Sequence, residues 1–238
     1  MAHATHLAAR RELVFRLLSP VSGVPAVPSD RRHTPLQIAV TFEALTAPLA
    51  ALLAKQRAEE PETPVRLIET SAADQVQGLK GGAYSAGISI VPSGQDALPS
   101  LPLWRDELAI AVPVRSPLLA FPRVPLEEVA RYPLVMWCPG SCEAINQHVE
   151  SLLRPVEPVL NIMARAKSFE LLTVLVAAGY GMGFSTMSRI AASRPLDIVM
   201  RPLLHNARHV TTYLLRTAAA SPAIDRFVER ARAIPGPS

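Results

Sequence analysis

The 238-residue chain has two cysteines, 18% charged residues and no run of about 20 consecutive apolar residues. Each shortage excludes a class of protein. Cys138 and Cys142 are too few for a secreted disulfide scaffold, and their i, i+4 spacing is not the C-x-x-C of a redox or zinc motif. They read as two reduced thiols. A redox-sensing pair is the alternative, and it would require an electropositive, accessible setting. No apolar run is long enough for a membrane-spanning helix, so no membrane partner is expected. The first apolar stretch, residues 13–18, is cut by Arg16 and preceded by Arg10-Arg11-Glu12. It is therefore not the uninterrupted core of a signal peptide, and a cytoplasmic location is expected. The six histidines are scattered, and no His, Asp or Glu cluster has metal-ligand spacing. Neither a metal nor another cofactor is expected.

What is present is a folding sequence. Hydrophobic residues make up 49% and the mean hydropathy is positive, the reverse of the disorder signature. A compact chain of this length buries roughly 70% of the surface its unfolded form exposes. The formal net charge of +4 is unevenly placed. Residues 1–34 carry Arg10, Arg11, Arg16, Arg31 and Arg32 against Glu12 and Asp30, leaving 19 basic and 18 acidic residues in the rest. A body this close to neutral lacks the broad basic face of a DNA-binding surface. Residues 1–34 therefore read as a separate basic, Pro-rich arm. A short helix is predicted over 4–18, and Pro20, Pro25 and Pro28 prevent it from continuing further along the arm.

From Pro35 the pattern becomes regular. Leu36-Gln-Ile-Ala-Val40 predicts a strand, and Leu45, Leu49, Leu52 and Leu53 predict a helix following Thr41. Strands over 65–69 and 87–91 flank a helix over 73–80. Strand, helix, strand, helix, strand implies a parallel sheet with right-handed crossovers. A second block comes next: an apolar strand over 108–112, a helical turn over 126–130, a strand over 134–137, and a helix capped by Ser141. After these are a strand over 159–162, a helix capped by Ser168 and ended by Gly179, and an extended path from Met182. Strands over 198–203 and 209–215 and a helix from Ser221-Pro222 complete it. A second βα lobe is inserted within the first.

These residues resemble the effector-binding domain of LysR-type transcriptional regulators, from about Leu36 to Ala233. Gly82-Ala-Tyr-Ser-Ala-Gly-Ile88 is similar to the family's G-x-L-D-x-x-I, and Leu103-Trp-Arg-Asp-Glu-Leu-Ala-Ile-Ala-Val112 to its L-x-x-E-x-L-x-L-V strand. Arg115-Ser-Pro-Leu118 stands where the family often has His-Pro-Leu. Val176-Ala-Ala-Gly-Tyr-Gly-Met-Gly183 is similar to its V-A-A-G-x-G-I turn. Two departures are Ser85, in place of the usual Asp, and Ser185-Thr186, in place of Leu-Pro. The resemblance implies an α/β, periplasmic-binding-protein-like (type 2) fold of two βα lobes joined by two crossover strands, with a ligand cleft between them. Lobe I would comprise 35–108 and 207–235, and lobe II 109–206. In the family, a winged helix-turn-helix of about sixty residues precedes this domain. Only 34 residues precede the first strand here, so the expectation is a sensor without its own DNA reader.

Ligands of open α/β sheets bind outside the carboxyl ends of the strands. Three turns lead toward predicted helix starts there: Thr41-Phe42-Glu43, Pro139-Gly140-Ser141 and Lys167-Ser168-Phe169. Helix N-termini offer unpaired N–H groups and partial positive charge, which suits a small carboxylate or other anion. Thr70-Ser71 adds two hydroxyls. The plainer alternative is that these hydroxyls only cap helices, and Glu43 would repel an anion unless it faces away. Enzyme readings fail on context. Ala83-Tyr-Ser-Ala-Gly87 has helix before and strand after, the reverse of a lipase nucleophile turn. Gly179-Tyr-Gly-Met-Gly183 ends a helix instead of opening one.

The expectation is a non-enzymatic transcriptional regulatory protein that binds a small effector and acts as a homodimer or with a full-length regulator. The helix around Leu49 and Leu53 is its candidate pairing face. The alternatives are a solute-binding protein of a transport system, a protein-interaction module with a vestigial cleft, and an arm that contacts nucleic acid weakly with steep salt dependence.

Overall fold

A computed structural model describes residues 34–92, 98–192, 197–204, 209–218 and 221–237. The predicted helix over 4–18 lies outside the described residues. Two hydrophobic cores organise the rest, one on each half of a mixed sheet.

The first half begins with β1 (Leu36–Val40), flanked in parallel by β2 (Val65–Glu69) and β3 (Ala86–Ser89), with Leu36 opposite Val65 and Ile38 opposite Ala86. Helices α1 (Ala47–Glu59) and α2 (Ala72–Lys80) form the crossovers. β3 pairs antiparallel with β9 (His209–Leu215), which pairs antiparallel with residues 100–107 of the long strand β4 (Ser100–Pro113). Beyond that point β4 changes partners. Residues 108–111 pair with β7 (Met182–Thr186), and residues 109–113 pair with β8 (Ile198–Pro202). β7 continues in parallel to β5 (Leu134–Trp137) and then β6 (Ile162–Ala166). One sheet of order β2-β1-β3-β9-β4-β7-β5-β6 results, with β8 attached to β4. The halves on either side of the change in β4 pairing are lobe I, with β1–β3, and lobe II, with β5–β7.

The remaining helices are α3 (Leu126–Val129), α4 (Glu143–Leu153), α5 (Phe169–Ala177), α6 (Met187–Ala191) and α7 (Pro222–Arg232). α7 shows why an amphipathic stripe folds as it does. Ile224, Phe227, Val228 and Ala231 are buried in the lobe I core while Arg226, Arg230 and Arg232 stay at the surface edge.

Several elements differ from expectation for physical reasons. The helix predicted after Thr41 is only a 3-10 turn, Phe42–Ala44, and α1 starts later at Ala47. Pro48 sets that start, because it is tolerated in the first helical turn and not further in. The strand predicted over 159–162 lies at Ile162–Ala166. Its alternation of partly buried Ile162 and Ala164 with exposed Met163 and Arg165 is the half-covered pattern of an edge strand. The strand predicted over 108–112 is longer and takes in residues 101–104 as part of β4. On α1, Leu49 and Leu52 are buried in the lobe I core and Leu53 is half-buried against it.

Two buried amides pin the strand ends that frame the cleft. Gln75 on α2 donates from Nε2 to the carbonyls of Ala39 and Ile88, each at 3.1 Å. Only glycine fits beneath it, because a Cβ on Gly87 would meet the Gln75 side chain at 2.8 Å. In lobe II, Asn146 accepts from the Trp137 N–H at 3.0 Å and donates to its carbonyl at 2.9 Å. Each amide satisfies backbone groups that burial would otherwise leave unpaired.

Candidate functional site

The carboxyl ends of β1, β2, β5 and β6 all open toward one cavity of about 460 Å³ between the lobes. Eight of the nine residues singled out in the sequence line it: Thr41, Phe42, Glu43, Thr70, Ser71, Gly140, Ser141 and Ser168. Phe169 is not in the lining. Its ring lies under the guanidinium of Arg189, 4.8 Å from the charged carbon to the ring centroid.

The hydroxyls differ in how they are used. Ser71 caps α2: its Oγ accepts from the Asp74 N–H at 3.1 Å and donates to the Asp74 carboxylate at 2.8 Å. That residue serves the plainer, capping role. Ser168 caps α5 by accepting from the Leu171 N–H at 3.2 Å, which leaves its own hydrogen to donate. Thr41 is 3% exposed, and its Oγ1 has no hydrogen-bond partner among the described residues. A buried hydroxyl without a partner costs roughly 1–3 kcal/mol, and a polar ligand can relieve that cost.

The turn before α4 departs from expectation. Ser141 does not cap the helix. The cap position is Cys142, held in the left-handed region at φ 49°, and Glu143 Oε2 reaches back to the Gly140 N–H at 3.3 Å. Gly140 itself sits at φ 79°, a conformation glycine takes without penalty. Burial, with the Glu43 carboxylate beside it, pushes the Cys142 thiol far above the ordinary cysteine range. It stays protonated at neutral pH, which removes the condition a redox-sensing thiolate requires.

Arg189, on α6, joins the two lobes near the cavity. Its guanidinium lies 4.1 Å over the Phe42 ring, and Nη1 donates to the Phe42 carbonyl at 3.1 Å. Phe42 also meets Trp137 edge-on, with ring centroids 6.0 Å apart at 68°. Burial pulls the Arg189 pKa down, while Cys142, Glu170, Glu43 and Glu69 favour its charge. Sequence reasoning missed α6 and this arginine, since nothing near residue 189 marks it except proximity in the fold. It also missed Glu69 in the cavity wall, which Lys167, named in the turn before the helix that starts at Phe169, lines as well. Glu69 immediately precedes Thr70, so extending that pair by one residue would have found it.

Ser85, the departure from the family motif, has a structural role: its Oγ accepts from the Gln37 N–H at 3.2 Å. Among the described residues, no group of three or more His, Cys, Asp or Glu could hold a metal, and no helix is long and apolar enough to cross a membrane.

Comparison with known proteins places these features. The family described as the LysR substrate binding domain matches residues 29–234. A probable hydrogen peroxide-inducible genes activator of Mycobacterium leprae is 21% identical over 198 residues, covering 83% of this chain. The chain spans 62% of that relative's length. Among solved structures, the effector binding domain of QuiR in complex with shikimate is 16% identical with a TM-score of 0.73, covering 84% of this chain and 96% of that one. The BenM effector binding domain with its effector benzoate is 21% identical with a TM-score of 0.74, covering 84% and 91%. At these identities the structural likeness establishes the fold.

Proposed function

Because the chain belongs to the LysR substrate-binding domain family, we propose that it is the sensing part of a transcription regulator, working in the cytoplasm without catalysis. A small effector binds in the inter-lobe cavity, and its presence is passed on by pairing with a second copy or with a full-length regulator. The observation that carries this reading is the unpartnered, buried Thr41 hydroxyl in the wall of a cavity lined by eight of the expected residues. The effector carries a carboxylate, received by Lys167, the Ser168 hydroxyl and the unpaired N–H groups at the start of α5. Shikimate and benzoate, the ligands of the two structural neighbours, are both carboxylates. Pairing uses the exposed apolar side chains of β6 and α5, where Met163, Leu171 and Val174 are 57%, 43% and 51% exposed.

Thermal unfolding against small carboxylates, with shikimate and benzoate included, tests the reading. A ligand at about a hundred times its Kd adds roughly 2.7 kcal/mol, about 5–10 °C for a chain of this size. A shift of that size is expected for at least one compound. A flat panel contradicts effector binding.

A further inference from the structure

We infer that the effector is a zwitterion, with its carboxylate toward Lys167 and the start of α5 and an ammonium group toward Glu43 and Glu69 on the facing wall. This rests on the effector-binding reading above and names the chemical class that the site takes. The observation behind it is a charge imbalance. The ionisable side chains that line the cavity are Glu43, Glu69, Glu143 and Lys167, apart from Cys142, whose thiol stays protonated. Glu143 is occupied: it accepts from the Gly140 N–H and sits in the first turn of α4, where its charge complements the helix end. Glu43, which accepts only from the neutral Cys142 thiol, and Glu69 remain on lobe I and Lys167 on lobe II, and none of the three forms a salt bridge among the described residues. Glu59, Glu60, Glu128, Glu150 and Asp225, by contrast, each contact a Lys or Arg.

A purely anionic ligand fits this lining poorly. Lys167 and the α5 N-terminus would attract it, and two carboxylates in the facing wall would repel it. Arg189 offsets part of that repulsion, but it lies against Phe42 and Phe169 and is not in the lining. An ammonium group resolves the conflict. It has three donors and no acceptor, and the lobe I wall supplies three acceptors: the Glu43 carboxylate, the Glu69 carboxylate and the unpartnered Thr41 Oγ1. A ligand with both ends meets opposite charge on both walls, so its binding also draws the lobes together.

Matched triads provide the test, by titration calorimetry at pH 7 on the full chain. One triad is 4-(aminomethyl)benzoate, 4-methylbenzoate and benzylamine; the others are 4-aminobutyrate, butyrate and butylamine, and phenylalanine, 3-phenylpropionate and phenethylamine. Benzoate and shikimate are run beside them. In at least one triad the amino acid is expected to bind at least about tenfold tighter than either single-charge partner. Glu43→Gln and Glu69→Gln should each remove most of that preference over the carboxylate. Equal or tighter binding by a plain carboxylate, benzoate or shikimate overturns the zwitterion and leaves the sensor reading standing. Equal binding by an amine alone overturns it as well, by removing the carboxylate end. If no compound in the set binds, both readings fall. Unfolding midpoints of the two variants without ligand, within about 2 °C of wild type, show that any loss is not misfolding.

Discussion

Glu60, which caps the end of α1, and Glu69, the last residue of β2, belong to the same lobe and are treated in opposite ways. Glu60 is 4% exposed at the junction of α1 and α7. It accepts from Arg226 Nε at 3.1 Å, from Arg230 Nη1 at 2.6 Å and from Thr63 Oγ1 at 3.0 Å. Arg230 also reaches Glu59 at 2.9 Å and Gln56 at 2.8 Å. Glu69, at the cavity, is exposed and has no ion pair among the described residues. The first carboxylate has lost its water and is fully repaid in hydrogen bonds, so it holds two helices together. The second keeps its charge uncommitted in a concave wall. A charge satisfied by its own chain contributes to stability, whereas one left facing a cavity is available to a ligand.

The largest effect is expected on the paired side. Glu60→Gln removes the buried charge that Arg226 and Arg230 share and should lower unfolding free energy by about 2–3 kcal/mol, read from urea midpoints at pH 7. The Arg226 hydrogen bond foremost, with those from Arg230 and Thr63, holds the Glu60 carboxyl down to about 2 from an ordinary 4.5. A depressed folded-state pKa stabilises above the unfolded pKa, so this contribution is complete above pH 4.5 and disappears as pH falls toward 2. Wild type should lose stability in that window, and Glu60→Gln should lack this component. Next in size is Arg189→Met, which keeps an apolar contact and deletes two ring–cation contacts and the bond to the Phe42 carbonyl. A loss of about 1–2 kcal/mol is expected. The smallest effect is on the unpaired side. Glu69→Gln should change unliganded stability by no more than about 0.5 kcal/mol. A loss near that of Glu60→Gln would mean that Glu69 is structural and would erase the contrast.

Much of the cleft was legible because its parts are local. Leu36–Val40 alternates toward one core, Ser168 precedes an apolar helix, and Gly179 ends it at φ 81°. These are signals within a few residues of the atoms that they place. The family resemblance supplied what no local signal carries, two lobes joined by crossover strands, while the order of β9, β4 and β7 in the middle of the sheet came only with the structure. The misses are of two kinds. Ser141 was displaced as a cap because Cys142 takes the left-handed conformation and Glu143 reaches back over the turn, a competition among three adjacent residues that residue type alone does not decide. Arg189 and Phe42 lie 147 positions apart, so their contact exists only once both lobes are assembled. Glu69 went unseen for a related reason: it arrives from a separate strand and joins the cavity wall only when β2 stands beside β1.

The central claim is that the inter-lobe cavity is the effector site, and amide chemical shifts of the isotope-labelled chain test it most directly. Titration with 4-(aminomethyl)benzoate or benzoate should move the signals of Thr41, Phe42, Glu43, Thr70, Ser141 and Ser168 together, saturating with one Kd. Shifts confined to the groove between β4 and α7, around Ser100, Arg216 and Glu229, would contradict that assignment, as would an unchanged spectrum at millimolar ligand.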